Sequence, residues 1–391
     1  MMPALDQIFV TLKHWLVGQS PGAAQPAVSV LLSVIPILLI FPALFALTTV
    51  LERKGLGRIQ NRYGPNRVGP CGFLQPLADG LKSLTKEDIV PRSADKVVHL
   101  LAPLVLVVAS FLGYAVLPMG RNMVMANLDA GVLFFFAVGA VTELAVFMAG
   151  WSSRNKYSLL GAMRAMAQMI SYEVPLILSS IAVIMTAGSL STVTIVEMQA
   201  GYSGFWPHWY VLTPWGLAGF IIFMIAATAE SNRSPFDLPE GESEIIAGYY
   251  TEYSGFKFAL FFLAEYLGMF SISGLGVTLF LGGWAAPFSF LTWIPSWIWF
   301  FAKLMALIVI FIWVRGTLPR LRMDQLMNYA WKFMLPMALL VIVSAGAWRF
   351  MPSGVFRWII CMLPIAIAYV LLGRNLMSGK KIEKRIYRFA E

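Results

Sequence analysis

Charge is what this sequence has little of. Only 13% of its 391 residues are Asp, Glu, Lys or Arg, against roughly 25% in soluble domains. The deficit falls in recurring apolar runs of about twenty residues, the length that crosses a bilayer. That excludes a soluble enzyme, a disordered chain and a nucleic-acid-binding domain, despite a formal net charge of +9. In a polytopic membrane protein a basic excess reflects charge sorting across the bilayer. Cysteine is nearly absent as well. Cys71 and Cys361 form no CxxC pair, so neither a disulfide framework nor an iron–sulfur ligand set exists. The scattered His14, His99 and His208 offer no paired haem ligands. No metal site is expected, and any electron carrier belongs to a partner or is a diffusible small molecule.

What is present is a series of apolar stretches, at about 28–51, 98–118, 130–151, 168–189, 214–230, 256–282, 297–315, 333–350 and 355–373. They predict an all-α polytopic membrane protein with about nine spans and termini on opposite sides. Of the 29 Lys and Arg, 24 fall in segments 52–97, 151–167, 231–257, 315–332 and 374–391. By the positive-inside rule these loops and the basic tail 374–391 are cytoplasmic, and residues 1–27 lie outside. That outer segment carries a short amphipathic patch, Leu5 to Val17, and does not read as a signal peptide. The outer loops are rich in tryptophan, as an interfacial belt is. Within the first cytoplasmic loop Phe73, Leu74, Leu77, Leu81 and Leu84 recur at helical spacing, predicting an interfacial amphipathic helix. Lys303 reads as a side chain snorkelling toward the outer interface.

An acid at membrane depth costs at least a few kcal/mol and is a functional candidate by default. Glu143, Glu173, Glu230, Glu252 and Glu265 qualify, and all fall in the cytoplasmic halves of their spans. Crowded glutamates in low dielectric can hold and pass protons near neutral pH. Because the outer halves hold no carboxylate, protons are expected to leave sideways into a neighbouring subunit. Helix-end groups or structural ion pairs are the plain alternative. Pro175 adds a feature beside Glu173, since it leaves the Ser171 carbonyl without its helical donor. The loop 230–257 is acidic on an otherwise basic face, and it interleaves its acids with Phe236, Leu238, Ile245, Tyr249 and Tyr250. That mixture suits a cavity wall better than a solvated surface. The arginine- and glycine-rich loop from Glu52 to Pro70 supplies the opposite charge, for lipid headgroups or an acidic partner.

The strings ERKGLGRIQNRYGPNRVGP, GWSSRNKYSLLGAMRAMAQMISYEVPL and SPFDLPEGESEIIAGYYTEYSGFKFALFFLAEY resemble the H subunit of the NADH-quinone oxidoreductases, over about 28–373. The resemblance implies the membrane subunit of bacterial respiratory complex I that meets the peripheral arm, in the inner membrane. It implies quinone-chamber roles for Arg53, Arg62, Arg233, Phe236, Asp237, Glu240, Glu242 and Glu244. It also implies a glutamate funnel of Glu143, Glu173, Glu230 and Glu265, with Glu252 as neighbour, leading to antiporter-like subunits. Quinone, ubiquinone or menaquinone, would be the substrate, and flavin, haem and iron–sulfur clusters would lie on other chains. The competing readings are the membrane subunit of an energy-converting hydrogenase, a stand-alone ion transporter and a purely structural anchor.

Overall fold

A computed structural model describes residues 3–238, 246–352 and 354–377. A single turn α1 (Pro3–Asp6) and α2 (Ile8–Gly18) lead to α3 (Gln25–Ile59). Then come α4 (Gln75–Thr85), α5 (Lys96–Leu112, extended to Val116 by a 3₁₀ turn), α6 (Gly131–Ser152), α7 (Lys156–Ala187) and α8 (Thr192–Gln199). After α9 (Pro214–Glu230) follow α10 (Gly255–Phe280), α11 (Ser296–Thr317), α12 (Met323–Tyr329), α13 (Leu335–Phe350) and α14 (Val355–Met377). Among the described residues the only strands, β1 (Tyr202–Ser203) and β2 (Trp206–Pro207), make one short antiparallel hairpin. The fold is all-α. Among the described residues eight helices are long and apolar enough to cross a membrane, and α9, with 17 residues, is apolar but shorter.

Local chemistry sets the helix ends. Asp95 accepts from the N–H groups of Val97 and Val98 and starts α5; Asn155 accepts from Tyr157 and starts α7. Thr213 accepts from Gly216 ahead of α9, whose first residue is Pro214. Gly188, with φ of 69°, closes α7 in the left-handed conformation. Two spans run longer than hydropathy predicts. Nothing in Glu52-Arg53-Lys54 stops a helix, so α3 continues through residues expected in a loop and turns only at Asn61, where φ is 58°. At its other extreme α7 begins at Lys156, well before the predicted 168. Residues 330–334 form a π-helical turn joining α12 to α13.

The core is built around α10. From Met269 to Phe280 every residue is buried, as expected of a helix apolar all round. It packs against α3, α4, α5, α9 and α11. The Tyr114 hydroxyl donates to the Leu267 carbonyl at 2.6 Å, and its ring stacks on Phe41 at 3.8 Å, tying α3 and α5 to α10. A second cluster uses Ala102, Ala145, Ala149, Ala162 and Ala165 to bring α5, α6 and α7 together around Tyr249, Tyr250 and Phe261. Small residues serve this purpose in membranes, where close backbone approach is the source of packing energy. On the far side, Lys303 does not snorkel. Its ammonium turns inward, donating to the carbonyls of Leu281, Gly283 and Ala285 at 2.6, 2.9 and 2.6 Å, 4.1 Å from the Trp209 ring.

Candidate functional site

Where α5, α6, α7, α9 and α10 meet they line a cavity of about 100 Å³. One water needs ~10–15 Å³ of such space, so several fit. Glu173 of α7, Glu230 at the end of α9 and Glu265 of α10 all line it. Thr142, Ser110 and Asn232 add polar atoms to a wall that is otherwise apolar. Glu143 of α6 is buried just beside this group, with no hydrogen-bond partner for Oε1 among the described residues. Oε2 of Glu230 is unpartnered in the same sense. Glu143, Glu173 and Glu230 lie within electrostatic reach of one another. Four of the five acids singled out in the sequence thus gather in one place. Glu252 stands apart: its carboxylate accepts from the Asn155 amide at 2.6 Å, on the cap of α7.

Glu265 is the acid with partners. The Tyr250 hydroxyl donates to it, and the Tyr249 hydroxyl lies 3.3 Å from the same oxygen and 2.6 Å from that of Tyr250. Both tyrosines sit on a 3₁₀ turn, Gly248–Tyr250, that is pressed against α7. Gly161 makes the approach possible, because a Cβ there would stand 2.7 Å from Gly248 Cα. The Ser158 hydroxyl donates to the Tyr249 carbonyl at 3.3 Å and holds the turn in place.

A second cluster lies against the first through adjacent residues of α10. Successive helical side chains point ~100° apart, so Tyr266 faces away from Glu265 and donates to Glu52 at 2.6 Å. Glu52 is buried on α3 and forms ion pairs with Arg233, at 3.3 Å, and Arg315 of α11. The Arg233 guanidinium lies 3.9 Å from the Tyr266 ring centroid, and it feels the charge of Glu265 as well as that of Glu52. Arg233 therefore stands electrostatically between the two clusters. Asp237 also acts on Glu265.

The remaining expected residues occupy three settings. Arg53 pairs with Asp79 of α4 at 2.7 Å, both substantially exposed, and Arg62 donates to the Gln60 side chain at 2.7 Å. Phe236 is buried 5.3 Å from the Tyr172 ring. Glu240, Glu242 and Glu244 lie outside the described residues. The amphipathic helix expected at 73–84 is α4, with Leu77, Leu81 and Leu84 exposed along one side. Among the described residues no group of three or more His, Cys, Asp or Glu is placed to hold a metal ion. Sequence reasoning missed Glu52, Tyr266 and Arg315, and it saw Tyr249 and Tyr250 only as part of a cavity wall. Glu52 carried a usable signal, an acid on the same helical run as the apolar residues before it, whereas Tyr266 lies inside an apolar span with nothing to mark it.

A family model described as NADH dehydrogenase matches residues 32–346. Among curated proteins, the NADH-quinone oxidoreductase H subunit of Polaromonas naphthalenivorans (strain CJ2) is 42% identical over 362 residues, covering 90% of this chain and 100% of that protein. The corresponding H subunit of Burkholderia vietnamiensis is 45% identical over 343 residues, covering 87% of this chain and 96% of the relative. The Burkholderia ambifaria protein of the same description is 44% identical over the same length.

Proposed function

The chain belongs to the NADH dehydrogenase family, among the H subunits of the NADH-quinone oxidoreductases, and from that premise we propose that it forms the membrane wall of a quinone chamber and carries protons away from it. The observation that carries this reading is the single cavity shared by Glu173, Glu230 and Glu265, with Glu143 beside it. Buried carboxylates without ion-pair partners are costly in a membrane, and a water-sized space between them is what proton exchange requires. A purely structural anchor has no use for either.

In this reading electrons reach quinone from NADH through centres on the peripheral-arm subunits. Each quinone accepts electrons and protons to become quinol. Arg233, Phe236 and Asp237 serve that event, and Glu240, Glu242 and Glu244, outside the described residues, are assigned to it on the family resemblance alone. Arg233 is a fixed cation facing both Glu52 and Glu265, so a change of charge on the chamber side alters the field at the cavity. Tyr249 and Tyr250 complete a hydroxyl path onto Glu265. From there protons pass by way of Glu230, Glu173 and Glu143 to neighbouring antiporter-like subunits. Arg53 and Arg62 belong to the chamber rim, and α4 flanks the opening to the bilayer, with Asp79 tied to Arg53. The basic loops and the C-terminus face the cytoplasm, residues 1–27 face outward, and the protein resides in a bacterial inner membrane.

The test uses assembled complex carrying Glu173→Gln or Glu143→Gln. Quinone reduction coupled to proton pumping should fall in both, with the complex still containing all its subunits. Full activity and unchanged proton stoichiometry in both variants would overturn the proposal.

A further inference from the structure

The chain reverses sharply at the end of α9, between the two clusters of charge. The Ser231 N–H still donates along the helix, to the Ala227 carbonyl at 3.0 Å. The next two N–H groups turn back, Asn232 to the Ala229 carbonyl at 3.2 Å and Arg233 to that of Thr228 at 3.1 Å. This pair of bonds is a Schellman ending, which needs the residue after the cap in the left-handed conformation. Here that residue is Asn232, with φ of 48°, in a place where glycine is more usual. The reversal divides two functional groups. Glu230, before it, lines the cavity of acids, while Arg233, after it, pairs with Glu52.

Gln168 of α7 is fully buried against this turn. Its amide nitrogen donates to the Ala229 carbonyl at 2.8 Å and to the Asn232 side-chain oxygen at 3.2 Å. The two amide hydrogens thus serve one contact each. Its oxygen has no partner among the described residues, so the nitrogen alone ties Gln168 to the turn. A buried amide costs free energy unless its hydrogen bonds are made, and a leucine of similar size would fill the same space without that cost. Glycine at 232 would give this amide nothing to hold. Asparagine accepts the left-handed conformation and also offers an oxygen to the donor from α7.

We propose that Gln168 is a positioning residue, clamping Asn232 in its left-handed conformation so that Glu230 stays in the cavity and Arg233 stays on Glu52; this rests on the reading of the cavity as a proton path. Gln168 acts through the backbone and neither receives nor passes a proton. Without its grip Asn232 relaxes toward negative φ, the conformation that side chains ordinarily prefer. The chain on the two sides of the turn then changes direction, and Glu230 and Arg233 can no longer both keep their places. Because Gln168 and Glu173 share α7, the clamp also fixes Glu230 relative to the acid across the cavity.

The experiment measures quinone reduction by assembled complex carrying variants on the two sides of the clamp. Gln168→Leu, which keeps the volume and removes the amide, should lower the rate about tenfold. Glycine adopts φ of 48° at no steric cost, so adding Asn232→Gly to Gln168→Leu should restore most of the loss. A packing role for Gln168 would not be rescued by deleting a second side chain. Asn232→Ala keeps a Cβ and loses the gripped oxygen, so its rate should fall about tenfold below that of Asn232→Gly. That pair keeps the test decisive where Gln168→Leu alone does not assemble. Equal rates for Asn232→Ala and Asn232→Gly, full activity of Gln168→Leu, or a double variant no better than the single would overturn the proposal. Glu173→Gln in the same assay separates the two readings. Full activity there, with the rescue intact, strikes the proton path and leaves the clamp standing.

Discussion

Glu52 accepts from Tyr266 and pairs with Arg233 and Arg315, joining α3, α10, α11 and the loop after α9 through one carboxylate. Removing one partner of a buried pair leaves the other charge stranded, at a cost of about 3–5 kcal/mol. Glu52→Ala is therefore expected to lower the melting temperature of the complex markedly, measured by thermal denaturation with Arg315 free to turn to water and Arg233 not. Replacing both Glu52 and Arg233 by Met should be less damaging than Glu52→Ala, because an apolar pair of similar size needs no compensation. Lys303 invites the same measurement. Lys303→Met removes three charge-assisted hydrogen bonds to carbonyls of the α10–α11 connection. A single bond to a charged group contributes ~1.5–3 kcal/mol, so a loss of at least that size is expected in the same assay.

At the scale of elements, the turn Gly248–Tyr250 and α7 are fitted to each other at backbone distance. Gly161→Ala puts a methyl group against Gly248, and overpacking of this kind costs ~1–3 kcal/mol. Since the turn carries the hydroxyls on Glu265, quinone reduction should fall in step with stability, while Ala167→Ser on the same helix should leave both unchanged; activity measured beside thermal melts decides this. The spans themselves were legible in the sequence, because a run of apolar residues long enough to cross a bilayer has few other uses. Their ends were less so. Residues 52–59 and 156–167 are polar and glycine-bearing enough to read as loop yet contain no proline, and the backbone at Asn61 and the cap at Asn155 decide the matter. The aromatic turn was legible only as a cavity wall: the hydroxyl contacts of Tyr249 and Tyr250 come from Gly161 and Glu265, remote in sequence and adjacent only in the fold.

Across the whole molecule, the acids of the apolar spans could be picked out of the sequence one by one. The grouping of Glu143, Glu173, Glu230 and Glu265, and the separation of Glu252, needed the packing of five helices. In the proposed orientation no carboxylate lies in the outer halves of the spans, so the purified chain alone in liposomes is expected to conduct protons no faster than empty vesicles, as read by an entrapped pH dye. Flux above that background would mean a complete path within one subunit. One last consequence comes from Glu265 and Tyr266 being neighbours on α10. A rigid rod that grips a different object on each side cannot be twisted at one without moving the other. Any torque on α10 that shifts Tyr266 against Glu52 is delivered, without intermediary, to the carboxylate in the cavity.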